Sequence, residues 1–127
     1  MNTPVKFEIA KLLKEKGFDN ESAHYYNEKG EMLFDAYYPS LQPTKPDVYY
    51  DNPTIAEVLM WSYKKHGIWI QVSISRYGKF YCNILKKENT KSLDNPISWE
   101  MQYQLNDFNS PTEAYEAAIF YVLSNLI

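Results

Sequence analysis

At 127 residues the chain is long enough for one domain whose core needs neither disulfides nor a metal. Its 45% apolar and 23% charged residues are an ordinary globular balance, and a net charge of −3 argues against a broad basic field for nucleic acid. A single cysteine excludes an internal disulfide, and with no apolar signal core and no run of membrane-spanning length the expectation is a cytoplasmic protein that meets no membrane.

The first element is a helix opened by Thr3 and Pro4, with Val5, Ile9, Leu12 and Leu13 on one face and Gly17 as its stop. A hairpin follows. Tyr25-Tyr26 and the stretch from Met32 to Tyr38 flank a turn at Asn27-Glu28-Lys29-Gly30. Residues 39–53 carry Pro39, Pro43, Pro46 and Pro53 and read as a long loop.

Thr54 and Glu57 form a capping-box pair at the start of a second helix, which Gly67 ends. Ile55, Val58, Leu59, Ser62 and His66 share its stripe, while Met60 and Trp61 lie on opposite flanks. Residues 68–75 alternate as a strand, with Ile68, Ile70, Val72 and Ile74 inward and Trp69, Gln71, Ser73 and Ser75 outward. Arg76-Tyr77-Gly78 turns the chain into a strand over 79–85, with Phe80, Cys82 and Ile84 inward. Residues 86–96 read as a polar connector. Trp99, Met101, Tyr103 and Leu105 then alternate inward along a third strand, against Ser98, Glu100, Gln102 and Gln104. Ser110, Pro111 and Glu113 open a last helix with Tyr115, Ile119, Val122, Leu123 and Leu126 as its stripe.

The predicted fold is a single α+β domain over residues 1–127: an antiparallel sheet with helices packed on one face, in the order α-β-β-(Pro loop)-α-β-β-β-α. Residues 1–53 form the N-terminal helix, hairpin and proline-rich loop, and residues 54–127 the α-β-β-β-α core.

Twelve tyrosines, six phenylalanines and three tryptophans are more rings than a small core easily absorbs. A tyrosine ring favours burial while its hydroxyl needs a partner. After the inward positions are assigned, the aromatics without a structural task are Trp61, Trp69, Tyr81 and Tyr121. With Met60 and Gln71 they make a candidate interaction surface: Met60, Trp61, Trp69, Gln71, Tyr81 and Tyr121. Its bland counterparts are a sheet face that is solvated or covered by the N-terminal hairpin, and, for Met60 and Trp61, burial by the first helix or the proline loop.

Nothing in the residue pattern specifies catalysis, a cofactor or a metal. Of the two histidines, His66 sits at a helix C-terminus, where a partly charged imidazole caps the last carbonyls. Cys82 alternates with Phe80 and Ile84 and reads as a buried small hydrophobe. The four glycines fall at turns and helix ends and form no phosphate loop.

From Thr54 to Ile127 the order helix-strand-strand-strand-helix, ending in Ser-Pro-Thr-Glu-Ala-Tyr-Glu-Ala-Ala, resembles the double-stranded-RNA-binding domain. That family carries a basic cluster at the start of the last helix to grip phosphates; here those positions hold Pro111, Thr112, Glu113 and Glu116. The segments Pro53–Val58, Lys65–Ile70 and Ser110–Ala118 also resemble short uncharacterised proteins of gut Bacteroidales and their phages or mobile elements, which implies a small accessory protein. The expected function is therefore a noncatalytic binding or protein-interaction module, with self-association or a protein partner ahead of nucleic acid. The alternative, a nucleic-acid binder, requires a patch built from Lys64, Lys65, Arg76, Lys79, Lys86, Lys87 and Lys91.

Overall fold

The computed structural model describes residues 3–20, 24–34, 48–89 and 97–127. Its elements run α1 (Phe7–Glu15), β1 (His24–Tyr26), β2 (Met32–Phe34), β3 (Tyr50–Asp51), α2 (Ile55–His66), β4 (Ile68–Ile74), β5 (Phe80–Asn89), β6 (Ile97–Phe108) and α3 (Pro111–Asn125). The class is α+β, as predicted, with two antiparallel sheets of three strands, ordered β2-β1-β3 and β4-β5-β6. Helix α3 crosses all three strands of the second sheet, α2 packs on β4, and α1 packs on α3.

Helix α1 starts later than Thr3-Pro4 predicts. The Val5 N–H donates to the Pro53 carbonyl at 3.0 Å, and the Ile55 N–H donates to the Thr3 carbonyl at 2.9 Å. Thr3–Val5 is thus an extended clip on the first turn of α2. The clip prevails over the helix-start signal because Ile55 N–H is one of the amides a helix leaves without an internal partner. Ile9, Ala10 and Leu13 form the buried face of α1.

The hairpin turn forms where expected. Asn27 Oδ1 accepts from the Lys29 and Glu31 amides, both at 3.0 Å, and Gly30 takes a φ of +81°. The end of the predicted loop behaves differently: Tyr50–Asp51 pairs with β1 as a third strand. Phe7 of α1 stands edge-on to Tyr26 at 5.4 Å and to Tyr50 at 5.6 Å, which fixes this small sheet to α1. A two-residue strand is too short to display alternation. The predicted strand positions 35–38 and loop positions 39–47 lie outside the described residues.

Helix α2 is capped as its sequence states. Thr54 Oγ1 accepts from the Glu57 N–H at 3.3 Å, Glu57 Oε1 accepts from the Thr54 N–H at 3.4 Å, and Gly67 closes the helix at φ +65°. Caps of this type contribute about 1 kcal/mol. On α3, Ser110 accepts from the Glu113 N–H at 3.2 Å, while the Glu113 carboxylate accepts from Asn109 N–H rather than from Ser110. Ala114 and Ala118 are fully buried, and their small side chains let α3 lie close to the sheet. One hydrophobic core draws on α1, β1, α2, β4, β5 and α3, so both parts of the sequence contribute to it.

Strand β5 extends to Asn89, into the stretch predicted as connector. Lys86, Lys87 and Glu88 pair with Glu100, Trp99 and Ser98. The strand continues past its apolar positions, so polar residues there are a solvated ladder and not a loop. Positions 90–96 of that connector lie outside the described residues. Ile74, predicted inward, is exposed at the far end of β4.

Strand β6 departs most from its pattern. Strict alternation places Trp99, Met101, Tyr103 and Leu105 on one inward face. Leu105 does pair with Cys82, and Tyr103 with Ile84, on the helix face; the next pair is Leu85 with Met101, which skips Gln102. Gln102 is the extra residue of a β-bulge, and a one-residue offset sends every side chain beyond it to the opposite face. Met101 and Trp99 therefore stand on the outer face, with Leu85 and Trp69. A second irregularity, between the Phe80–Phe108 and Cys82–Leu105 pairs, puts Asp107 at φ +69°, a left-handed conformation that aspartate tolerates better than most residues. Deleting Gln102 removes the extra residue and makes Met101 the neighbour of Tyr103, so the ladder becomes regular with Trp99 and Met101 still on the outer face. The aromatic near-ultraviolet dichroism is expected to survive this deletion, and to collapse on deletion of Glu100, which turns Trp99 to the helix face; a near-ultraviolet spectrum lost in the Gln102 deletion would show that Gln102 is not the skipped residue.

Candidate functional site

The outer face of β4-β5-β6 presents Trp69, Gln71 and Ser73 on β4, Tyr81, Asn83 and Leu85 on β5, and Trp99, Met101 and Gln104 on β6. Gln104 donates to Asn83 Oδ1 at 2.8 Å, which ties the amides across the strands. At the end nearest Gly67 the aromatics gather. The Tyr63 ring, from the last turns of α2, stands edge-on to Trp69 at 5.8 Å and stacks on Trp99 at 6.1 Å with 22° between planes. Met60, Tyr63, Trp69, Gln71, Leu85 and Trp99 line a groove of about 530 Å³. Trp69 is 37% exposed and Trp99 41%. Lys87 lies opposite Trp99, and Lys64 lines the adjoining hollow beside Met60, so two lysines border the groove.

Of the six residues predicted to form one surface, Met60, Trp69 and Gln71 converge here. Tyr81 shares the outer face farther along the sheet, opposite Ser73. Trp61 and Tyr121 do not belong to it. Trp61 is only 5% exposed, covered edge-on by Phe18 at 5.3 Å and by His66 at 4.9 Å. Phe18 lies just past the end of α1, so the first helix closes that flank of α2. Tyr121 stacks on Tyr103 at 4.6 Å, nearly parallel, on the helix side of the sheet.

The residues missed are Tyr63, Leu85 and Trp99. A signal for Tyr63 was present, since it lies three positions after Met60 on the same helix flank. Leu85 follows Ile84 as the next outward position. Trp99 carried the opposite signal because alternation counts through the bulge.

Two other places were candidates for chemistry. A hollow of about 540 Å³ between α1, α3 and the end of β6 holds Lys6, Glu8, Glu113 and Glu116 beside Phe108 and Phe120. Lys6 Nζ and Glu116 form an ion pair at 3.0 Å, and the Glu116 carboxylate holds the Lys6 ammonium above its ordinary value. Glu113 accepts from the Asn109 N–H. These charges bind the helices to each other and to their caps. Cys82 is fully buried, and that burial pushes its thiol up, away from the reactive thiolate.

The cationic residues fall into two groups. Lys64, Lys65, Lys86 and Lys87 surround the Gly67 end of the sheet, and Arg76 and Lys79 occupy the β4–β5 turn, about 20 Å away along the strand. Lys79 is bonded to Asn109, and Arg76 lies over the Tyr77 ring. Lys91 is outside the described residues. Among the described residues no group of His, Cys, Asp and Glu is placed to hold a metal, and no helix is long and apolar enough to cross a membrane. No family model, no curated protein and no solved structure matches the chain.

His66 differs from the charged cap expected of it. Burial lowers its pKa, and neighbouring Lys65 adds to the effect. Its Nε2 and the Trp61 indole N–H are buried without hydrogen-bond partners among the described residues. The folded state therefore favours neutral imidazole. Because the unfolded chain takes up the proton first, this contribution is complete above the ordinary pKa of about 6.5 and is lost as pH falls below it. The exposed Glu88–Glu100 pair runs the other way, since Glu100 raises the Glu88 pKa, and moderate salt screens it. In moderate salt, the melting temperature is expected to fall between pH 7 and pH 5, and to fall less in His66→Gln. Equal slopes in the two proteins would remove His66 from this account.

Proposed function

We propose that this protein is a noncatalytic interaction module whose outer sheet groove receives an apolar anchor from a protein partner. The observation that carries this is the cluster of Tyr63, Trp69 and Trp99, three large rings left more than a third exposed yet held by one another. Tryptophan and tyrosine dominate the energetic centres of protein interfaces. Rings already fixed by neighbouring rings lose little freedom on binding. The lysines at the rim favour a partner whose anchor is flanked by carboxylates. The likeness of three segments to short proteins of gut Bacteroidales and their phages or mobile elements supports an accessory role of this kind.

The nucleic-acid alternative draws on the order α2-β4-β5-β6-α3, which resembles the element order of the double-stranded-RNA-binding domain. A phosphate grip needs a continuous cationic track. The two cationic groups stand at opposite ends of the sheet, and α3 begins with Glu113 and Glu116, so the protein partner is the better-supported reading. The noncatalytic character is supported by the engagement of Lys6, Glu113 and Glu116 in structural contacts and by the burial of Cys82.

Panning a random peptide library against the immobilised protein tests this. Recovered peptides are expected to carry an aromatic or aliphatic anchor beside Asp or Glu, and to lose affinity on the order of tenfold against Trp69→Ala. Binders indifferent to Trp69→Ala would refute the groove.

A further inference from the structure

We infer that the β6 edge opposite β5, which pairs with no described strand, joins the same edge of a second copy, across a two-fold axis at Trp99, to make one six-stranded sheet. This goes beyond the groove reading and rests on a different observation, the hydrogen-bonding edge of the strand. In the order β4-β5-β6, the far side of β6 pairs with no described strand. It is a twelve-residue edge. Exposed edges are normally protected by lysine, proline, bulges or inward-pointing charges; Ile97–Phe108 contains no lysine or proline, both of its bulges lie beyond Met101, and Glu100 is the one charge in the stretch before them. What an open edge demands is specific: another strand that matches its alternating N–H and C=O groups.

The bulges restrict where pairing can occur. Gln102 and Asp107 interrupt the regular pleat, which leaves Ile97–Met101 as the flat stretch at the Gly67 end. Within that stretch, a two-fold antiparallel register that keeps outer residues beside outer residues has its centre at Ser98, Trp99 or Glu100, and only the Trp99 centre pairs all five residues. Centring on Glu100 sets two carboxylates directly opposite each other, which is unfavourable, and Glu88 already lies beside Glu100. Centring on Trp99 sets it against the partner's Trp99 on the outer face and moves Glu100 opposite the partner's Ser98. Trp99, 41% exposed, then lies against the Trp99 of the second copy, and Met101, 54% exposed, takes the register position opposite residue 97. The two aromatic grooves meet across the axis as one surface.

A self-complementary edge explains why the occupant is a second copy: each chain supplies the strand, the apolar pair and the vacant hydrogen bonds that the other needs. A contact of one short strand edge and a few flanking side chains belongs to the small class of interfaces, so monomer and dimer exchange with concentration.

Sedimentation of the full chain from micromolar to millimolar protein tests the inference. The weight-average mass is expected to rise from 15.0 kDa toward twice that value. Met101→Lys, at a half-exposed position outside the groove lining, is expected to stay at the monomer mass with unchanged far-ultraviolet dichroism. Because Cys82 is buried, Trp99→Cys offers an accessible thiol at the axis and is expected to form a disulfide-linked dimer on mild oxidation, whereas Gln104→Cys, beyond the bulge, is not. A wild type that remains at 15.0 kDa throughout, even one that instead captures an added extended peptide, overturns the inference. So does a dimer that survives Met101→Lys, or one with no preferential cross-link at Trp99→Cys. Failure here is separable from failure of the groove: Met101→Lys still binds the selected peptides, and Trp69→Ala still dimerises.

Discussion

An antiparallel ladder alternates its side chains with a period of two, so one extra residue reverses everything beyond it. In β6 that residue is Gln102. On one side of it Tyr103 and Leu105 face the helices, opposite Ile84 and Cys82; on the other, Met101 and Trp99 face outward, opposite Leu85 and Lys87. Without the reversal, Trp99 would lie on the helix face and Tyr63 would have no ring to stack on. The groove, its bordering lysines and the apolar flat stretch of the β6 edge all depend on this one irregularity. Bulges commonly re-aim side chains near sites of function, and the geometry here follows that pattern.

A second constraint holds α2 where Tyr63 can reach the outer face. The helix passes into β4 through Gly67 alone, in a left-handed conformation that glycine adopts without strain. Its other end is clipped by Thr3 and Val5 through two backbone hydrogen bonds. Phe18 closes over Trp61, and Trp61 packs on His66 at the helix end. The N-terminal elements thus do structural work on α2: they bury the flank that carries Trp61 and leave the flank that carries Met60 and Tyr63 exposed.

Much of this was legible in the residues. The Thr54–Glu57 pair, Gly67, the alternation of 68–71 and the Ser110-Pro111 start each rest on interactions local to a few neighbours, and each stands in the structure. The failures share a physical cause: the deciding partner is distant in sequence. Thr3-Pro4 reads as a helix start until Pro53 and Ile55 compete for its backbone. Tyr50-Asp51 reads as loop until β1 offers a ladder. Trp61 and Tyr121 read as surface until Phe18 and Tyr103 cover them. Trp99 reads as core because a bulge is a property of two strands together, and no pattern within β6 announces Gln102 as the skipped residue. The candidate site was therefore half visible, with Met60, Trp69 and Gln71 foreseen and Tyr63, Leu85 and Trp99 supplied by packing.

The central claim is that Trp99 shares the outer face with Trp69 and Tyr63. Nuclear Overhauser contacts of the Trp99 indole in the wild-type protein read this directly. Cross-peaks from Trp99 ring protons to Tyr63 and Trp69, with none to Ile84 or Val122, are the predicted result. Cross-peaks from Trp99 to Ile84 and Val122 on the helix face would contradict it.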